Sequence, residues 1–268
     1  MTRIGVIGGT GLYELLDETE EVKVSTPYGP PSDLITVAEL SSRQVAFLPR
    51  HGRDHRFPPH RIPYRANIWA LRSLGVRQIL APCACGRPPA GLHSPGTFVV
   101  PDQLIDRTSG REQTFCDTGA VHTTFAEPYC PDGRRAALAA TERVNRFDGG
   151  TMVVIDGPRF STRAESRWLA AAGGTIINMT GQPEAALARE LALCYTSIAL
   201  VTDLDAGLEG NQGVTHDEVL RAFAENVTVL RRVLFDADAA LRWNAPVPAR
   251  APSPFPWTST QVERLLPS

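Results

Sequence analysis

Gly5–Glu14 reads GVIGGTGLYE. A short apolar run breaks into Gly8, Gly9, Thr10 and Gly11, the pattern of a strand that ends in a tight, glycine-permissive turn. A turn of this kind can hold a dinucleotide, hold a smaller anion, or hold nothing. The dinucleotide fingerprint needs G-x-G-x-x-G and an acidic residue about 20 positions on, at the end of a second strand. Here Leu12, Tyr13 and Glu14 follow Gly11, and Glu18, Glu20 and Glu21 come too early. Two readings remain: a plain turn, or one that offers backbone amides and the Thr10 hydroxyl to an anion.

Working outward, short β-branched runs alternate with amphipathic stretches. Strands are expected at 3–7, 45–49, 76–82, 97–101, 151–156, 175–178 and 195–202. Helices are expected at 64–74, 133–144, 163–172, 184–194 and 217–241, the last with an apolar stripe of Val219, Leu220, Phe223, Val227, Leu230 and Leu234. Such alternation indicates an α/β architecture, in which ligand groups gather where strands end and loops begin. Residues 245–256, APVPARAPSPFP, are too proline-rich for a helix or a central strand. One domain over 1–244 and a proline-rich tail over 245–268 are therefore expected.

Composition narrows the chemistry. The chain has 268 residues and a formal charge of -2, which gives no electrostatic case for nucleic acid or an acidic membrane as partner. Lys23 is the only lysine, so anion binding falls to arginine, hydroxyls and backbone amides. No apolar run approaches the ~18–20 residues of a membrane span. Five cysteines at irregular spacing, without a CxxC ligand pair, read as reduced thiols in a cytoplasmic protein.

Three strand ends supply candidate anion ligands. Thr10 is the first. Arg50-His51-Gly52 follows the run FLPR and combines a guanidinium fork with an imidazole donor. Asn178-Met179-Thr180-Gly181 ends another strand and enters a helix, adding a hydroxyl and helix-start amides. A fourth strand ends in Thr202-Asp203-Leu204-Asp205, where period-two alternation puts both carboxylates on one side. The pair reads either as an Asx turn or helix cap, or as two carboxylates facing a base, one able to protonate a departing heterocycle. A metal reading would need further ligands in the same site, and the prolines at 58 and 59 break any helix carrying His51, His55 and His60. No metal is expected.

Taken together, GVIGGTGLY, RHGRDHRFPPHRIPYRANIWAL, PGTFVVPDQLIDRT, VIDGPRFSTRAES, INMTGQPEAALARE and TDLDAG resemble the 5′-methylthioadenosine phosphorylase / purine nucleoside phosphorylase family, from residue 3 to about 235. The resemblance implies a single α/β domain with a central mixed sheet forming a distorted barrel flanked by helices, assembled as a homotrimer or hexamer. It implies cleavage of a purine nucleoside by inorganic phosphate, to free base and pentose 1-phosphate, without a cofactor. Carried over to matching positions, phosphate falls to Thr10, Arg50, His51, Ala84 and Thr180. Met179 falls under the pentose, and Phe160, Ser161, Asp203 and Asp205 fall around the purine, with Asp203 and Asp205 as the catalytic carboxylates. Val219 and His216 fall at the 5′ end, joined by His122 from a neighbouring subunit. Relatives selective for 6-oxopurines carry Glu and Asn where Ser161 and Asp203 stand, which favours a 6-aminopurine such as methylthioadenosine or adenosine. A 6-oxopurine nucleoside (inosine, guanosine or methylthioinosine) and a nucleoside-binding homologue with an impaired phosphate site are the alternatives. Cys83 stands where the family usually has threonine, and a thiol is a poor substitute for a phosphate-binding hydroxyl.

Overall fold

The computed structural model describes residues 3–9, 19–40, 43–88, 94–119, 122–206 and 214–241. Thr10 and the 245–268 tail lie outside them. Eleven strands form one mixed sheet: β1 (Arg3–Gly8), β2 (Glu20–Val22), β3 (Ile35–Leu40), β4 (Arg43–Pro49), β5 (Val76–Gly86), β6 (Phe98–Val100), β7 (Gln103–Arg107), β8 (Arg146–Asp148), β9 (Thr151–Ile155), β10 (Gly174–Asn178) and β11 (Cys194–Asp203). Among the described residues, five α-helices flank it: α1 (Tyr64–Ser73), α2 (Pro131–Ala140), α3 (Arg163–Ala171), α4 (Gly181–Glu190) and α5 (His216–Ala240).

The main path runs β2-β3-β4-β1-β5-β10-β9-β7, and β11 joins β5 to β6, which in turn pairs β8. β5 is the axis of this arrangement. It runs parallel to β1 and β11 and meets β10 at Ile177–Gly86. Because the sheet divides at β5 and its edges do not meet, it makes an open, distorted barrel rather than a closed one. The strands β4, β1, β5 and β11 run parallel to one another, so their carboxyl ends point to one side of the sheet, and the cleft forms there.

Local sequence explains most of these elements. Ile4, Val6 and Ile7 of β1 are buried, as a parallel strand covered on both faces requires. One face is closed by α1 and α4, with Ile68, Leu71, Leu187 and Ala188 packed on Ile7, Leu48 and Ile79. The other is closed by α2 and α5, with Ala136, Ala137, Leu230, Val233 and Leu234 packed on Ile4, Phe47, Leu80 and Leu200. Each large side chain so buried contributes roughly 1.5–3 kcal/mol. Thr162–Glu165 and Thr215–Glu218 close reciprocal capping boxes that start α3 and α5.

Several expectations shift. The helix expected at 133–144 begins instead with Pro131, which suits a first helical position, and ends at Ala140, where the Thr141 hydroxyl donates to the Ala137 carbonyl. α4 starts three residues before the expected Glu184, at Gly181, with non-helical geometry at Gln182. β2, β3, β7 and β8 were not anticipated. The all-thiol expectation is corrected as well: Cys130, the N-cap of α2, and Cys194, the first residue of β11, form a disulfide with 5.2 Å between their Cα atoms. The adjacent Tyr129 and Tyr195 stack beside it, with ring centroids 6.2 Å apart.

Candidate active site

At the carboxyl edge of the sheet lies a cavity of about 630 Å³. Its walls come from the ends of β4 (Arg50, His51), β5 (Cys83–Gly86), β9 (Ile155, Pro158, Phe160, Ser161), β10 (Asn178–Thr180) and β11 (Thr202, Asp203, Asp205), with Val219, Leu220 and Phe223 from α5. Gly9 of the opening glycine turn also lines it. The Arg50 amide donates to the Gly8 carbonyl at 2.8 Å, which holds the last residue of β1 beside the end of β4. Ten of the residues singled out from sequence thus reach one cavity: Arg50, His51, Ala84, Phe160, Ser161, Met179, Thr180, Asp203, Asp205 and Val219. His122 is exposed and does not line it. His216 is the first residue of α5, but its side chain lies outside the described set, as does all of Thr10.

One end of the cavity is polar and held by the protein itself. Arg50 is only 2% exposed, and three of its five N–H groups are committed. Nε donates to Glu184 Oε1 at 2.5 Å, Nη2 to Glu184 Oε2 at 3.1 Å, and Nη1 to the Pro82 carbonyl at 3.0 Å. The Tyr195 hydroxyl donates to Glu184 Oε2 at 2.8 Å. His51 Nδ1 donates to the Phe57 carbonyl at 2.8 Å, so its Nε2 donates only when the ring is cationic. His55, in a left-handed conformation, stacks on His51 with centroids 4.4 Å apart and lines the cavity too. The Cys83 thiol sits 3.6 Å from the Ser197 hydroxyl, and burial pushes its pKa up against the pull of Arg50, which keeps it protonated.

The helix-start amides of the β10–α4 turn are not free, contrary to expectation. Asn178 Oδ1 accepts from the Thr180 and Gly181 amides, both at 2.7 Å, and Asn178 Nδ2 donates to the Ala84 carbonyl at 3.0 Å. The Asn178 side chain therefore satisfies the amides that an anion would otherwise use. It also ties β5 to β10. What Thr180 can still offer an anion is its hydroxyl, whose contact with Asn178 Oδ1 is long, at 3.4 Å.

The other end carries the carboxylates. β11 stops at Asp203, and Asp205 reaches the same wall through a left-handed turn at φ 48° rather than by continued strand alternation. The Asx turn is present, with the Asp205 amide donating to Asp203 Oδ1 at 2.9 Å, and both aspartates line the cavity. The Thr202 hydroxyl donates to Asp203 Oδ2 at 2.8 Å. Burial raises the Asp203 pKa against these two hydrogen bonds, and the Asp205 charge adds to the rise. Burial likewise raises Asp205, opposed by the nearby Ser166 and Ser161 hydroxyls. Neither serine completes a hydrogen bond with it in distance and angle, so among the described residues the neighbouring atoms Asp205 Oδ2, Ser161 Oγ and Ser166 Oγ are buried without a hydrogen-bond partner. Gly86 makes room for the pair, because a Cβ there would fall 2.8 Å from Asp203 Oδ1 and 3.3 Å from Asp205 Cβ. Beside it, Arg159 grips Glu165 through two 2.7 Å bonds that hold the Glu165 pKa at about 2 and steady the turn carrying Phe160.

Arg111 gave no sequence signal and proves structurally central. Its side chain is buried and donates to the Asp156 (2.7 Å) and Ile155 (3.3 Å) carbonyls on one wall. It also donates to the Met179 (2.9 Å) and Gln182 (2.6 Å) carbonyls on the other. Among the described residues no cluster of three or more His, Cys, Asp or Glu could hold a metal ion, and no helix is long and apolar enough to cross a membrane.

The cavity thus sits at a topological branch of a mixed sheet, with a buried arginine at one end and two carboxylates at the other. Residues 3–238 match the Phosphorylase superfamily, and the chain belongs to that family. It is 59% identical over 251 residues to a purine nucleoside phosphorylase from Streptomyces coelicolor, covering 89% of each. It is 57% identical to an S-methyl-5′-thioadenosine phosphorylase from Mycolicibacterium smegmatis, covering 87% of this chain and 89% of the relative. Among solved structures, a methylthioadenosine phosphorylase from Schistosoma mansoni in complex with adenine superposes with a TM-score of 0.85 at 35% identity, covering 99% of this chain and 98% of that one.

Proposed function

We propose that this protein cleaves a 6-aminopurine nucleoside of the methylthioadenosine or adenosine type with inorganic phosphate, releasing the free base and a pentose 1-phosphate. The observation that carries the reading is the pair of buried, unpartnered atoms Ser161 Oγ and Asp205 Oδ2 beside Asp203, in the wall of the cavity that also holds Arg50 and Thr180. An ionised carboxylate accepts from an exocyclic amine, whereas a 6-oxo group wants a donor. The adenine bound to the Schistosoma mansoni relative agrees with this choice.

Phosphate occupies the polar end, held by the two remaining Arg50 N–H groups, the Thr180 hydroxyl, His51, the Ala84 backbone and Thr10. The pentose rests on Met179, and the purine lies along Phe160 between Ser161 and the carboxylates. Breaking the glycosidic bond develops positive charge on the sugar and negative charge on the departing purine. The phosphate stabilises the first, and a protonated Asp203, favoured by its burial, stabilises the second by giving up its proton. The anomeric carbon–nitrogen bond breaks and the bond to phosphate oxygen forms, with both partners already aligned. The chemistry calls for no metal or organic cofactor. Val219 and His216 border the 5′ substituent, and His122, exposed on its own chain, completes that end in a neighbouring subunit of a homotrimer acting in the cytoplasm.

The test is base release from methylthioadenosine, adenosine and inosine with and without phosphate. Phosphate-dependent release of adenine, with inosine a poor substrate, is expected. Preference for inosine would replace the 6-amino reading with the 6-oxo one. Release independent of phosphate would replace phosphorolysis with hydrolysis.

A further inference from the structure

Arg50 and Glu184 lie 134 residues apart in sequence, yet their side chains meet in a doubly hydrogen-bonded pair, 2% and 1% exposed. Removing the charge of one partner from such a pair leaves the other buried and uncompensated. Two carboxylate oxygens occupy one edge of the guanidinium, Nε and one Nη2 hydrogen, and the Pro82 carbonyl takes one Nη1 hydrogen. What remains is a single pair of N–H groups, one on each terminal nitrogen. Glu184 is itself held from behind by the Tyr195 hydroxyl, and Tyr195 is stacked against Tyr129 next to the disulfide.

We propose that Glu184, steadied by Tyr195, is the positioning residue that orients the Arg50 fork for the oxyanion. The proposal builds on the phosphate-dependent reading above. Glu184 touches no substrate. It cancels the Arg50 charge and fixes which two N–H groups face the cleft, so the anion is selected by the direction of two charge-assisted hydrogen bonds more than by net positive charge. The consequence is specific to one substrate. A loosened fork weakens phosphate and leaves the purine end, built from β11 and the Phe160 turn, as it was.

Steady-state kinetics with methylthioadenosine saturating and phosphate varied, on the full chain, tests this. Glu184→Gln keeps the side chain's shape but turns one acceptor into a donor facing Nη2 or Nε. It should raise KM for phosphate about 10- to 100-fold, the worth of one or two charge-assisted hydrogen bonds, with KM for the nucleoside within about twofold. Tyr195→Phe removes only the rear hydrogen bond and should raise the phosphate KM about 2- to 10-fold; it carries the test if Glu184→Gln does not fold. In an Arg50→Lys background, where no fork is left to orient, Glu184→Gln should add little. That double-mutant cycle is a readout that general destabilisation would not produce. Equal increases in both KM values, or the same factor for Glu184→Gln in both backgrounds, would overturn the assignment. Calorimetric titration with inorganic phosphate alone reads the same loss without turnover. A wild-type chain that binds phosphate but cleaves no nucleoside therefore overturns the enzymatic reading, while the titration still decides the role of Glu184.

Discussion

The two ends of the cleft are finished in opposite ways. Around Arg50, Glu184, Tyr195 and Pro82 the polar groups satisfy one another, and Asn178 does the same for the amides that start α4. Around Asp205, Ser161 Oγ and Asp205 Oδ2 are buried without a hydrogen-bond partner among the described residues. A network that fixes Arg50 and leaves only two of its N–H groups open needs no reorganisation when an anion arrives, which suits the proposed electrostatic work of holding phosphate in a fixed place. Polar atoms left unpaired act as a filter instead, because a base that cannot pair with them leaves them desolvated at a cost of about 1–3 kcal/mol each. In the proposed function, placement falls to one end and discrimination to the other.

The sharpest way to break that contrast is Asp203→Asn. The amide keeps the hydrogen-bonding shape but cannot hand a proton to the departing purine, and kcat at saturating substrates should fall on the order of 10²- to 10⁴-fold. The sign of the pH dependence follows from the raised Asp203 pKa. The neutral acid persists above the usual aspartate range and is lost as pH rises through the shifted value, so wild-type kcat declines on that limb. The Asp203→Asn chain should lack the decline. A variant with wild-type kcat, or with the same alkaline limb, would remove the acid role.

A smaller loss is expected from Gly86→Ala, which puts a methyl group 2.8 Å from Asp203 Oδ1. Displacing the carboxylate by a fraction of an ångström to an ångström should lower kcat/KM by about 10²-fold, with the phosphate KM little changed. If the phosphate KM moved as much as the nucleoside KM, the two ends would not be independent. Cys83→Thr sharpens the comparison from the opposite side. Replacing a thiol held protonated by burial with a hydroxyl donor should lower the phosphate KM about 2- to 10-fold and leave the nucleoside KM in place. An unchanged phosphate KM would show that position 83 does not meet the anion.

These expectations also mark how far the chain was legible. The strong strands could be read because β-branched runs break abruptly into Gly, Arg, Asn or Asp, and those breaks are where the cavity residues sit. β2, β7 and β8 were not legible. EEV, QLIDR and RFD carry mostly polar, largely exposed positions, and their pairing depends on neighbours far away in sequence. β3, ITVAEL, had β-branched residues, but its nearly continuous burial shows no period-two alternation to separate it from a helix. The capping at α4 is legible in the sequence, since an asparagine three residues before a helix start can accept from the amides two and three residues on. Glu184 offered no such clue. At a helix start an acidic residue reads as a partner of the helix dipole, and only the tertiary structure brings it to Arg50. Arg111 lies in a segment without periodicity and was invisible for the same reason.

That arginine has one more implication. Because a single guanidinium grips the carbonyls of Ile155 and Asp156 together with those of Met179 and Gln182, the two lips of the cleft are stitched to a common rivet. Neither lip can swing outward alone without tearing buried hydrogen bonds. The side of the cleft formed by Val219 and Leu220, near the amino-terminal end of α5, carries no such tie to Arg111.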